Sequence, residues 1–166
     1  TNIKERLDYS CALLDAQGFL VVNAPHIPVH LGALGLCVRE VSKTHQWAAS
    51  EDIVVNHPSF GGSHLPDVTV ISPIFVQKAL IGFVANRAHH AEIGGKTPGS
   101  MPPDARCLAE EGIVIPPTLY SEISEGVFAE SRMPSDNEAD LAAQVSANQF
   151  GVKAMQKLAL LGDVSG

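Results

Sequence analysis

The chain opens with two apolar runs, residues 8–14 and 19–23, separated by Asp15-Ala16-Gln17-Gly18. Asp opening and Gly closing a four-residue turn predicts a β-hairpin. Pro25 and Pro28 then stiffen the segment from Ala24 to His30. Over residues 31–43, Leu34, Val38 and Val41 recur at helical spacing, so a helix is expected there in spite of Gly32 and Gly35. Residues 52–56 read as a short strand, and residues 57–66 as a loop rich in Gly, Ser and Pro.

Residues 68–76 and 80–88 are β-rich runs joined by a short polar link at Gln77-Lys78, which predicts an antiparallel hairpin. Their near-continuous apolar character implies burial on both faces. With the turn at Gln77-Lys78, paired residue numbers should sum to about 155, placing Asp67 opposite Ala88. Residues 90–106 form a long loop carrying Gly94-Gly95, Pro98-Gly99 and Pro102-Pro103, a length usually reserved for a functional segment or lid. Residues 112–115 and 118–120 read as further short strands broken by Pro116-Pro117. From the caps Ser135 or Asp136 onward, Leu141, Val145, Asn148, Val152, Met155 and Ala159 form one stripe of a long amphipathic helix. Asn148 interrupts that stripe, so this face is expected to meet something polar.

The fold class expected is α+β, with antiparallel β-hairpins, one mid-chain helix and a long C-terminal helix. The 166 residues suit a single domain over residues 1–166, large enough to bury about 70% of its unfolded surface. Apolar residues at 45% and charged residues at 17% exclude disorder. A net charge of −7 without a Lys/Arg cluster argues against nucleic-acid binding and a basic membrane-surface helix. No apolar stretch approaches the roughly 18 residues a membrane span requires. Cys11, Cys37 and Cys107 are odd in number and none lies in a CxxC pair, so reduced thiols and a cytoplasmic location are expected. There is no GxxxxGK[ST] loop, so no ATP site is expected on this chain.

The chemistry concentrates in the histidines. His57, His64, His89 and His90 lie in or beside two loop regions, with His45 more distant. His64 is three residues before Asp67 across a proline, and the hairpin brings His89 to the same end. Two imidazoles and a carboxylate are a hydrolytic metal set: they leave positions open for water and substrate. Zn, Mn or Fe would fit. His90 competes with His89, because a one-residue slip reverses the facing of a strand. Asp8 is a candidate general base, or else a partner for Arg6 or a turn cap. His26 and His30 flank the proline segment and are either substrate or outer-sphere contacts, or structural histidines. Arg87 either binds a phosphate or carboxylate, or closes an internal salt bridge.

Read in order, NIKERLDYS from Asn2, APHIPVHLGAL from Ala24, NHPSFGGSHLPD from Asn56, ANRAHHAEIGGKTPGSMPPD from Ala85 and DNEADLAAQVSANQFG from Asp136 resemble the hydrolytic B component of hydantoinases and 5-oxoprolinases over nearly the whole chain. The resemblance implies that an A component binds ATP and phosphorylates a cyclic amide, and that the B component hydrolyses the activated ring. It implies a divalent metal on His64, Asp67 and His89, a lactam or imide substrate, and an oligomeric assembly with the A-type component. Asp8 and His26 are then the residues for proton transfer or substrate positioning. The wording NHPSFGGSHLPD leans toward 5-oxoprolinase. An acetone-carboxylase-type subunit and an inactive remnant with an assembly role are the alternatives. B components are several times longer, and this chain starts at Thr1 without an initiator Met, so it reads as a partial domain of a larger fold. Relative to the family pattern, the stretches at residues 44–50 and 124–131 look shortened.

Overall fold

The computed structural model describes residues 2–24, 28–123 and 126–162. After a short helix α1 (Asn2–Arg6), the chain forms β1 (Tyr9–Asp15), β2 (Leu20–Asn23), helix α2 (Pro28–Ser42) and β3 (Ile53–Val55). There follow β4 (Asp67–Val76), β5 (Ala79–His89), α3 (Leu108–Glu111), β6 (Thr118–Leu119) and the long helix α4 (Pro134–Gly162). The strands form one six-stranded sheet in the order β2-β1-β5-β4-β3-β6, antiparallel at every pairing. The α+β expectation therefore holds.

The sheet lies between two unlike layers. On one face, Ala12, Leu14, Ile53, Val55, Ile71, Phe83 and Ala85 pack with Leu34, Cys37, Val38 and Val41 of α2. On the other, Val54, Val68 and Val70 pack with Leu141 and Val145 of α4 and with Ile93, Ile115 and Phe128. Strands β4 and β5 are central and buried on both faces, which explains their unbroken apolar runs.

The β4–β5 hairpin turns at Gln77-Lys78, where φ is 49° and 72° as a type I′ turn requires. Next to the turn, Val76 pairs with Ala79 and Phe75 with Leu80, the register expected from the sequence. A β-bulge then intervenes: Ile74 pairs with Gly82, and Ile81 is the extra residue. Beyond the bulge every pair is displaced by one, so Asp67 lies opposite His89 and not Ala88. Glycine is needed at position 82, since a Cβ there would stand 2.4 Å from the Leu14 carbonyl oxygen.

Helix α4 runs over the hairpin through a line of buried amides. Asn148 Nδ2 donates to the carbonyls of Val70 (3.0 Å) and Val84 (3.2 Å). Asn86 Nδ2 donates to Asn148 Oδ1 (2.7 Å), and Gln144 Nε2 donates to Asn86 Oδ1 (2.7 Å) and to the Val68 carbonyl (2.9 Å). The polar partner expected for Asn148 is thus the backbone of the central strands. The apolar stripe is fully buried only as far as Asn148, and at the end of the helix Leu158, Leu160 and Leu161 are exposed. Geometry explains this: 29 helical residues span about 43 Å at ~1.5 Å each, and the 10-residue β4 spans only about 33 Å. Among the described residues, no helix is long and apolar enough to cross a membrane.

One further expectation changes. Residues 112–115 form no strand. The side chain of Asn56 takes the place of a ladder partner, accepting from Ile115 N (2.6 Å) and donating to the Ile113 carbonyl (2.9 Å), while Pro116-Pro117 supplies no N–H. The loop after His90 is held by hydrogen bonds at several points. The buried Glu92 carboxylate accepts from the Gly94 and Gly99 N–H groups and from Arg132 Nη1, and Ser100 Oγ accepts from Ile93 and Gly95.

Burial pushes the Glu92 carboxyl up, but the Gly94 and Gly99 N–H groups and Arg132 outweigh it and hold the group below its ordinary range. A carboxyl depressed in the folded state stabilises above its unfolded pKa, and this contribution is lost as pH falls through the folded value. Glu92→Gln should therefore cost about 1–3 kcal/mol at neutral pH. It should also flatten the decline in stability below about pH 4.5. Urea titrations at pH 7 and at steps down to pH 3 check both.

Candidate metal centre

Strand pairing places Asp67, the first residue of β4, directly across from His89, the last of β5, so both side chains leave the same face of the sheet. His64 reaches them from the loop before β4. The Asp67 N–H donates to the His64 carbonyl (3.1 Å) and the His90 N–H to the Pro66 carbonyl (2.8 Å), closing a tight bend around Pro66. Ligating atoms of His64, Asp67 and His89 all lie within 4.8 Å of one another.

The atoms are specific. His64 Nε2 is 3.2 Å from His89 Nδ1, and His89 Nδ1 is 3.1 Å from Asp67 Oδ1. The other oxygen, Asp67 Oδ2, accepts from Ser63 Oγ and lies 3.2 Å from His64 Nδ1. A proton on His64 Nδ1 serves that contact and leaves Nε2 as a lone pair facing the cluster. Donors on one cation at about 2.1 Å would stand about 3.0–3.4 Å apart. The two separations that involve His89 Nδ1 match this spacing, and the chemistry of two imidazoles with one carboxylate suits Zn, Mn or Fe. The Asp67 side chain is 2% exposed, whereas His89 is 15% and His64 33% exposed, so the centre opens to solvent on the histidine side.

Electrostatics follow from this packing. Burial pushes the Asp67 carboxyl up, but contacts from His30, His64, His89 and Ser63 outweigh it and hold the group well below the usual carboxylate range. The hydrogen bond to Asp67 raises the His64 pKa against burial, with Asp8 adding to the rise and Arg87 opposing it.

The remaining candidates separate clearly. His90 lies on the opposite face, fully buried, with Nε2 2.9 Å from Gln144 Oε1 and its ring stacked on Phe128. Burial pushes its pKa down. The bulge therefore decides between His89 and His90. His57 caps the 3₁₀ turn Pro58–Phe60, accepting from Ser59 N, and His45 pairs with Glu51. Asp8 precedes β1, half-buried, and its carbonyl accepts from the His89 N–H (3.0 Å). His26 lies outside the described residues. Arg87 is fully buried: it donates from Nε to Thr69 Oγ1 (2.8 Å) and from Nη2 to the Gly61 carbonyl (3.0 Å), while Nη1 has no hydrogen-bond partner among the described residues. Its part is to hold the His64 loop. The neighbouring Cys37 thiol is pushed up to about 11 by burial, against the pull of Arg87, and is inert. His30, for which the sequence left open a substrate contact, an outer-sphere contact or a structural role, stands against Asp67, with Nε2 3.6 Å from Oδ2.

Comparison with known proteins agrees with this architecture. The profile of the hydantoinase B/oxoprolinase family matches residues 1–161. The chain belongs to that family. It is 45% identical to 5-oxoprolinase 1 of Arabidopsis thaliana and 46% identical to 5-oxoprolinase of Saccharomyces cerevisiae, each over 95% of this chain. It spans only 14% of the length of either relative. The crystal structure of ATP-dependent caprolactamase from Pseudomonas jessenii superposes with a TM-score of 0.83 at 29% identity, covering 91% of this chain and 28% of that one. An acetone carboxylase structure shares the fold, with a TM-score of 0.86 at 19% identity over 95% of this chain and 22% of that one.

Gly61 tests the anchoring of the His64 loop. Its φ is +79°, and a Cβ there would meet the Cys37 backbone nitrogen at 2.8 Å. Gly61→Ala should destabilise the chain by about 1–3 kcal/mol, read from the urea midpoint.

Proposed function

We propose that this chain supplies the hydrolytic centre for opening an ATP-activated cyclic amide, with His64, Asp67 and His89 holding a divalent metal. The observation that carries the reading is the convergence of three ligating atoms at the open end of the β4–β5 hairpin. Membership of the hydantoinase B/oxoprolinase family supports it, as do 5-oxoprolinases among its relatives and the fold shared with a caprolactamase. The substrate is a phosphorylated lactam or imide such as 5-oxoproline. ATP binds a separate A-type component, the expected partner in an oligomeric assembly.

The chain's residues divide the work. Asp67 provides a carboxylate kept ionised by its surroundings. His64 and His89 provide imidazole nitrogens on the solvent side. A bound divalent ion supplies Lewis acidity there, lowering the pKa of water and polarising a carbonyl. Asp8 stands next to this centre through its carbonyl contact with His89, and its charge is felt by His64. It is the general base in this reading. His26 is assigned a substrate-positioning role from its place in the APHIPVH segment alone.

Elemental mass spectrometry of the purified chain should find near-stoichiometric divalent metal, with loss of that metal in His64→Ala and His89→Ala. A chain that folds by circular dichroism yet holds no metal overturns the metal assignment. Combined with an ATP-binding A-type component, the chain should support ATP-dependent conversion of 5-oxoproline to glutamate. Asp67→Asn should lower that rate at least about 100-fold, since it removes the charged ligand. Metal binding requires a neutral His64, and the raised pKa of that ring extends proton competition upward in pH. Metal affinity should consequently fall as pH drops through the His64 range, while Asp67 stays ionised throughout. Metal titrations at pH 8, 7 and 6 measure this.

A further inference from the structure

Behind the three ligating residues lies a second row of buried polar groups. Ser10, on β1, is fully buried, and His30, in the first turn of α2, is 2% exposed. Ser10 Oγ and His30 Nδ1 are 3.1 Å apart. His30 Nε2 stands 3.6 Å from Asp67 Oδ2, an electrostatic contact somewhat longer than a hydrogen bond. Two structural elements outside the hairpin thus converge on the far side of the carboxylate whose other oxygen faces His89.

The tautomer follows from electrostatics. A buried ring nitrogen facing an ionised carboxylate must present N–H, because a lone pair there would repel the negative oxygen where the dielectric is low. With the proton on Nε2, Nδ1 becomes the acceptor and the Ser10 hydroxyl donates to it. The direction of the chain is then set: Ser10 O–H to His30 Nδ1, and His30 Nε2–H toward Asp67 Oδ2. Ser63 Oγ and His64 Nδ1 act on the same oxygen. Oδ2 is therefore occupied from the protein side, and Oδ1 remains directed at the cluster.

We propose that Ser10 and His30 are positioning residues, which fix the rotation of the Asp67 carboxylate so that Oδ1 is presented to a cation. They touch neither substrate nor metal. The inference rests on the metal reading above. Outer partners of this kind typically change metal affinity by about 10–100-fold when removed.

The test uses the whole chain, stripped with chelator and titrated with Zn²⁺ against a competing indicator. Ser10→Ala should weaken Zn²⁺ binding about 10-fold and His30→Leu about 10–100-fold. His30→Gln, whose side-chain N–H replaces Nε2–H, should recover most of the loss. A purely structural role would lower the melting temperature of the metal-free protein in all three variants and leave Zn²⁺ affinity unchanged. Wild-type affinity in the folded Ser10→Ala and His30→Leu variants overturns the inference while the metal reading stands. Absence of Zn²⁺ binding by the wild-type chain itself removes both. Should His30→Leu fail to fold, Ser10→Ala, which deletes one oxygen atom, decides alone.

Discussion

The pairing register of β4 and β5 is the constraint on which the remaining structure depends. These strands are the centre of the sheet and are buried on both faces, so each side chain must meet the correct layer. Shifting one strand by a residue would exchange the two sets. It would turn Arg87 and His89 toward α4 and Asn86 and His90 toward α2. A single bulged residue, Ile81, sets this register over the half of the hairpin that carries the candidate metal centre. The bulge also increases local twist, and its glycine partner at position 82 lets β1 approach closely.

Each face then has its own chemistry. The α4 face is apolar with a line of amides through it, in which Gln144 and Asn148 satisfy one another's neighbours and the strand carbonyls. Buried polar groups are tolerated there because they are paired; a half-paired network would cost more than an apolar one. The α2 face carries charge at one end. Asp67 is a buried anion among His30, His64, His89 and Ser63, and Arg87 is a buried cation two residues from His89 on the same strand. Together they place a strong local field at the open end of the hairpin, where solvent reaches two of the three candidate ligating side chains.

Loop and sheet are joined by backbone contacts as much as by side chains. The His64 loop is fixed at Gly61 against the backbone of α2, at its carbonyl by Arg87, and at Pro66 by the His90 N–H. Helix α2 and the end of β5 therefore determine together where one imidazole sits. Rigid support of this type lets ligating atoms hold their spacing before a ligand arrives, which limits the ordering cost of binding.

The sequence alone determined the order and kind of nearly every element, because apolar periodicity and turn residues are local properties. It also carried His64 and Asp67, since a His-x-x-Asp spacing around a proline is local too, and it marked Asn148 as a polar break in an apolar stripe. The tertiary structure decided the rest. His89 and His90 are adjacent residues that face opposite sides, and the bulge at Ile81, hidden inside an apolar run, decides which of them shares the face of Asp67. Arg87 became an anchor for a loop 26 positions away, and His30 came to stand behind Asp67 although 37 positions separate them. The exposed end of α4 follows from comparing its length with that of the strands beneath it. Contacts of this kind depend on how whole elements pack and in which register they pair, and neither is written in the spacing of residues along one segment.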